Sequence, residues 1–214
     1  MTRIAVIGGT GYAGGHIVRT AADRGHEVIS YSRTLPETPA PGVEYREADF
    51  TDAEAARAIV ADADVVIVCA APRGDMEGRV EGAVAQLAAL AAEAGVRLGV
   101  IGGAGSLLVS EGGPRVMDGP DFPAAILPEA QEAGRMLDAL RADDSGLDWF
   151  YVSPAAGFGS FAPGEPRGTY RVGGDVLLVD EAGESFVSGA DFATALVDEI
   201  QEPAHRRQRF TVAY

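Results

Sequence analysis

Ile4-Ala-Val-Ile7 runs directly into Gly8-Gly-Thr-Gly-Tyr-Ala-Gly14, and no other stretch limits the fold of this chain so tightly. Gly9, Gly11 and Gly14 satisfy G-x-G-x-x-G, while Gly8, Gly11 and Gly14 satisfy its longer-spaced variant. A β-prone run precedes the glycines and a helical pattern follows, with Ile17, Val18, Ala21 and Ala22 on one side. That context marks the head of a βαβ unit. Early glycines permit a tight turn and a close backbone approach to a pyrophosphate, and the last permits close helix–strand packing. The free N–H groups of the helix then face the anion. Gly8, Gly9, Thr10, Gly11, Tyr12, Ala13 and Gly14 are therefore candidate dinucleotide-binding residues.

Bulk properties narrow the class. A chain of 214 residues with 47% apolar content has room for one large core. The net charge of −15 argues against a nucleic-acid backbone or an anionic membrane surface as partner. It also makes any arginine near an anion site more informative. Cys69 is the only cysteine, so no intrachain disulfide can form. No stretch approaches the roughly 20 apolar residues of a membrane span, and no leader pattern opens the chain. The expected location is cytoplasmic. No repeat, linker or second core is evident, and a homodimer is compatible with the reading.

Strands are expected at 3–7, 28–31, 43–47, 64–69, 98–101 and 147–152, alternating with helices at about 12–24, 52–61, 79–94 and 128–141. Asp64-Val-Val-Ile-Val-Cys69 is apolar throughout, the mark of a central parallel strand covered on both faces. Asp52 or Thr51 caps the second helix. His26 reads as a surface turn residue. A hairpin over Gly173-Gly174 is expected to join 170–172 to 176–179. Ser188 and Asp191 cap a helix to about 201, and 209–213 is a last strand. The alternation gives an α/β doubly wound Rossmann fold, with strand order 3-2-1-4-5-6 and one domain over 1–214.

Ligands of such sheets lie at the carboxyl ends of the strands. The second strand ends in Tyr31-Ser32-Arg33 with no acid before Glu37. A carboxylate there would suit the ribose of NAD, whereas Arg33, flanked by Ser32, suits the 2′-phosphate of NADP. Asp49 can accept from the adenine amino group with Phe50 beside the ring, or can cap the next helix. Ala70, Ala71 and Pro72 let a cofactor pass the fourth strand. Gly103, Ser106, Ser153 and Pro154 follow the fifth strand and end the sixth. No histidine or cysteine spacing suggests a metal site.

Gly-Gly-Thr-Gly-Tyr-Ala-Gly at 8–14, Ile-Gly-Gly-Ala-Gly-Ser-Leu at 101–107 and Asp-Trp-Phe-Tyr-Val-Ser-Pro-Ala at 148–155 carry a resemblance. So do Pro163-Gly-Glu-Pro-Arg-Gly-Thr-Tyr-Arg171 and the Arg-Phe-Thr-Val-Ala-Tyr ending. The chain resembles the atypical short-chain dehydrogenases, and within them the NAD(P)H-binding family of NADH-flavin reductase-like proteins, related to biliverdin/flavin reductases. The resemblance implies a single-domain NADP-binding protein. Its substrate pocket would be formed by the loops at about 104–127 and 155–180. Leu107, Tyr151, Phe158, Phe161 and Tyr170 are candidate pocket walls, and the first loop is a candidate lid.

The chain departs from the catalytic short-chain dehydrogenases at the reacting groups. It contains no lysine, so a Tyr-x-x-x-Lys pair is impossible. Ile126 and Leu127 stand where this family often shows Tyr-Lys, and Ala155 and Ala156 where a biliverdin-reductase-like histidine would follow Pro154. Ser106 is left as the candidate catalytic residue. The expected function is an NADPH-dependent oxidoreductase passing hydride to a flavin, quinone or similar planar small-molecule acceptor. The alternatives are a non-catalytic NADP-binding sensor or regulatory protein, and isomerase-type chemistry.

Overall fold

The computed structural model describes Met1–Tyr214. β1 (Arg3–Ile7), β2 (Glu27–Ser32), β3 (Val43–Glu47), β4 (Val65–Val68), β5 (Arg97–Ile101) and β6 (Trp149–Pro154) interleave with α1 (Tyr12–Asp23), α2 (Ala53–Ala61), α3 (Val80–Ala94) and α4 (Leu127–Ala142). These six strands are parallel and ordered β3-β2-β1-β4-β5-β6, as the alternating pattern predicts. The fold is a Rossmann-like α/β sheet.

The C-terminal part enlarges that sheet. β8 (Gln208–Ala213) lies parallel to β6, and β7 (Arg171–Gly173) lies antiparallel on β8 as the edge strand. The expected hairpin over Gly173-Gly174 is not formed. Arg171–Gly173 pairs instead with Thr211–Ala213, covering a sheet edge that a local hairpin would leave open. Val176 bridges to Leu108, and the Leu177 amide donates to the Leu108 carbonyl at 2.9 Å.

Neighbouring residues of each central strand bury on opposite faces. Ala5, Ile7, Val66, Val68, Leu98, Val100, Trp149 and Tyr151 pack beneath α2, α3 and α4. Ile4, Val6, Val65, Ile67, Phe150, Val152, Phe210 and Val212 pack beneath α1 and α5 (Gly189–Gln201). Asp52 is the cap of α2, its Oδ1 accepting from the amides of Glu54 at 2.9 Å and Ala55 at 3.0 Å. The Ser188 hydroxyl caps α5 by accepting from the Asp191 amide at 3.1 Å. No helix is long and apolar enough to cross a membrane.

His26 is not a surface residue. It is buried just before β2, both ring nitrogens lack partners, and burial lowers its pKa. At the same end of the sheet, Arg97 on β5 and Glu199 on α5 form a buried pair, Nη2 to Oε1 at 2.6 Å, with side chains 8% and 3% exposed. The Arg97 guanidinium lies 4.5 Å from the Phe150 ring centroid. Burial disfavours the Glu199 carboxylate, but donors from Arg97, His205 and Ala204 outweigh it and hold the pKa below its ordinary 4.5.

Removing one partner of such a pair strands a charge in the interior. Glu199→Ala should therefore cost about 3–5 kcal/mol in urea denaturation at neutral pH. Because the folded pKa is depressed, the stabilisation from Glu199 is complete above about pH 4.5 and fades as pH falls through the folded value. The acid limb of the stability–pH curve should flatten in the variant.

Candidate nucleotide-binding edge and its neighbouring cavity

The β1–α1 loop turns on Gly8, whose φ of +82° suits a residue without a Cβ. Its amide donates to the Tyr31 carbonyl at 2.8 Å, and its carbonyl accepts from the Gly11 amide at 3.0 Å. A Cβ on Gly14 would lie 2.8 Å from the Gly8 carbonyl carbon and from Gly9 Cα, and closer still to the Gly8 oxygen. These are backbone atoms, so no rotamer change relieves the clash. A Cβ on Gly9 would stand 2.9 Å from Val18 Cγ1 and Ser30 Cβ. The glycines thus bring β1, β2 and α1 together.

The N-terminus of α1 is left open by this geometry. Gly11 is its N-cap and supplies no side-chain acceptor, and the first turn carries no acidic residue. The amides of Tyr12, Ala13 and Gly14 fall in that first turn and have no i−4 partner within the helix. In a chain of net charge −15, an uncapped, acid-free helix start is a site suited to a phosphate.

Around this loop the carboxyl ends of β1 to β5 bring together several predicted positions. The Thr10 hydroxyl donates to the Ser32 hydroxyl at 3.2 Å. Arg33 follows β2, half exposed, and pairs with Asp75 in the loop after β4. Asp49 accepts from the amide and hydroxyl of Thr51 at 3.0 and 2.7 Å, and these donors hold its pKa below the usual carboxylate range. Asp49 thus closes a turn, with the capping of α2 left to Asp52. Ala70 and Ala71 remain partly open after β4, and a Cβ on Gly103 would meet open space.

Arg79 belongs to none of the sequence motifs. It precedes α3, donates from Nη2 to the Thr51 hydroxyl at 2.7 Å, and lies 3.5 Å from Asp49. Arg33, Arg79 and Arg73 therefore fringe the edge; Arg73 reaches Glu129 on α4 at 3.1 Å. The loop is pinned by the buried Glu132, which accepts from the Gly78 amide at 2.6 Å and the Glu81 amide at 3.0 Å. The available signal was the recurrence of arginine, at 73 and 79, just past the end of β4.

Other expected positions are corrected. Phe50 is buried in the core below α2 and offers no open ring face. Ser153 and Pro154 lie inside β6, buried, because pairing with β8 extends that strand through Pro154. Pro72 is also buried. The Tyr12 side chain turns to the other side, donating to the Pro163 carbonyl at 3.2 Å and accepting from the Gly189 amide at 3.1 Å, so only its backbone serves the loop.

The expected pocket walls scatter as well. Tyr151 is fully buried beneath α4 and donates to the Ala133 carbonyl at 2.9 Å; burial pushes its pKa up. Leu107 is fully buried. Tyr170 donates to Asp198 near the far end of α5. Phe161 is 79% exposed on the 155–170 loop. Phe158 packs between Tyr12 and Phe192, with centroids 5.3 and 4.4 Å away. The stretch expected as a lid is tied down by three 3₁₀ turns and the buried Met117.

Ser106 lies in the first of these turns and is 9% exposed. Its hydroxyl and carbonyl each accept from Arg209 Nη1 at 3.0 Å. It lines a cavity of about 120 Å³ between α4 and the Asp175 segment. Ile126 is exposed at the start of α4, where the family often shows Tyr-Lys, and Ala155 and Ala156 follow β6.

Residues 8–203 match the model of the NAD(P)H-binding family. The chain belongs to that family. It is 38% identical over 211 residues to the Bacillus subtilis protein YwnB, covering 98% of this chain and 97% of that one. A solved Streptococcus pneumoniae protein bearing the name "putative NADH-flavin reductase" is 33% identical, with TM-score 0.89 over 100% and 99% of the two chains. A "putative epimerase" of Bacteroides thetaiotaomicron is 32% identical, with TM-score 0.87 over 99% and 96%. The resemblance read from the motifs is thus borne out at the level of the family. A nicotinamide dinucleotide is the cofactor of this family, and the acid-free start of α1 with its glycine cradle fits the pyrophosphate of such a group.

Gly14→Ala tests that cradle. The added methyl meets the backbone of Gly8 and Gly9, so the variant should lose about 1–3 kcal/mol of stability in urea denaturation. Nucleotide affinity should fall with it, measured by fluorescence titration of NAD(P)H.

Proposed function

We propose that this NAD(P)H-binding family member is an NADPH-dependent oxidoreductase that passes hydride to a planar small-molecule acceptor of the flavin or quinone class. The observation that carries the cofactor reading is the end of β2. Arg33 stands beside Ser32 at the edge, and the first carboxylate after it in sequence, Glu37, is exposed in the following loop. A guanidinium there complements a 2′-phosphate, and Arg79 adds a second cation beside Asp49. In the free protein Arg33 is held by Asp75, a partner that the 2′-phosphate would replace.

The bound nicotinamide would supply the hydride. The chain's own residues bind and orient. The α1 amides would hold the pyrophosphate, and the small residues Ala70, Ala71 and Gly103 would leave the nicotinamide end uncovered, while Glu132 fixes the loop that carries Arg79. Without lysine and without a tyrosine at 126 or 127, no strong proton donor of the dehydrogenase kind is built in. That favours acceptors whose reduction takes its proton from solvent, where orientation supplies most of the rate. Two similar structures carry the names "putative NADH-flavin reductase" and "putative epimerase"; the first supports the redox reading.

One observation favours a second reading, an NADP-binding sensor without turnover. Ser106 is nearly buried and engaged by Arg209.

Arg33→Ala should weaken NADPH binding roughly 10- to 100-fold and leave NADH nearly unchanged, by parallel titrations. Equal losses would remove the 2′-phosphate assignment. Anaerobic mixing with NADPH and a panel of flavins and quinones should show cofactor oxidation. Tight binding with no oxidation on any acceptor would select the sensor.

A further inference from the structure

The cavity beside Ser106 gathers three arginines on an acidic protein. Guanidiniums of Arg115, Arg141 and Arg209 line it against the carboxylates of Asp138 and Asp175, a local excess of one positive charge in a chain of −15. Arg209 is the fixed member. Its side chain is 2% exposed, and it spends its donors on Ser106 and on Asp175, where Nε reaches Oδ1 at 2.7 Å.

That grip fixes the polarity of Ser106. A guanidinium only donates, so the Ser106 oxygen acts as acceptor toward it and its proton is directed elsewhere. The remaining groups are also mostly donors. Arg141 gives Nη2 to Asp175 at 2.6 Å, leaving Nε and Nη1 without a protein acceptor. Arg115 gives Nε and Nη2 to Asp118 at 2.9 and 3.1 Å, outside the cavity lining, leaving Nη1. Asp138 alone contributes an unpaired carboxylate, and Leu108 and Leu137 supply an apolar wall.

We propose that this cavity is a binding site for a small carboxylate, with Ser106, Arg141 and Arg115 donating to it and Arg209 as the positioning residue for Ser106. Planar, forked donors suit a carboxylate, and about 120 Å³ admits a group of few heavy atoms. The carboxylate belongs to a free metabolite or to the hydride acceptor itself. Only the second case rests on the reductase reading.

Calorimetric titration of the whole protein with acetate, at constant ionic strength, should give saturable one-to-one binding in roughly the millimolar range, as so few ligand atoms allow. Acetamide should bind at least about tenfold more weakly, and Arg141→Gln and Ser106→Ala should each lose about tenfold for acetate. Arg141 is partly exposed, so its variant is expected to fold, and Arg135→Gln, outside the cavity, should bind as the parent does. Absence of saturable acetate binding overturns the proposal, as does equal binding of acetate and acetamide or unchanged binding in both cavity variants. In a second arm, acceptors bearing a carboxylate are compared with their amides in NADPH oxidation. A preference lost in Arg141→Gln assigns the carboxylate to the acceptor, and acetate binding without such a preference assigns it to a free anion. Acetate binding with no oxidation at all keeps the site and removes the reductase reading.

Discussion

The nucleotide edge depends on one close contact, the Cα of Gly14 against the carbonyl of Gly8. Only a hydrogen fits between them. This contact lets α1 start directly behind the β1 turn, which points its unpaired amides along the sheet edge. Gly9 makes the same demand toward Ser30 and Val18, tying β2 into the arrangement. Once β1, β2 and α1 are fixed, the parallel register carries the ends of β3, β4 and β5 to the same side.

Charge is distributed with the same economy. Every side-chain cation other than histidine is an arginine, in a chain with 32 acidic residues. Arginine cannot shed its proton, so each buried one needs fixed acceptors. Arg97 finds them in Glu199, near the amino end of β5, and Arg209 in Ser106 and Asp175, in the cavity that neighbours the nucleotide edge. Arg33, Arg73 and Arg79 stay exposed, where their modest ion pairs can be exchanged for a ligand's charge.

The first six strands were legible because each is a short apolar run beside a helical pattern, and parallel βαβ units restrict the order in which such runs can pair. β7 was misread for the opposite reason. Gly173-Gly174 is a sound local turn signal, but Arg171–Gly173 pairs with a strand about forty residues onward, and no local pattern records that choice. Tyr151 and Leu107 are expected at a pocket because the resemblance puts the substrate at the loops after the fifth and sixth strands, yet both are buried in the core. In a strand covered on both faces, polarity does not reveal which side a tyrosine takes.

By itself the sequence determined the Rossmann class, the dinucleotide loop and the absence of a lysine-dependent proton donor, because these rest on glycine sterics, local periodicity and simple presence or absence. The tertiary structure alone decided that Arg79 joins Arg33 at the edge, that Tyr12 turns toward α5, and that Arg209 holds Ser106. Arg209 and Ser106 are 103 residues apart, and their meeting follows from β8 pairing with β6. A hydrogen bond between distant side chains leaves no periodicity in either segment.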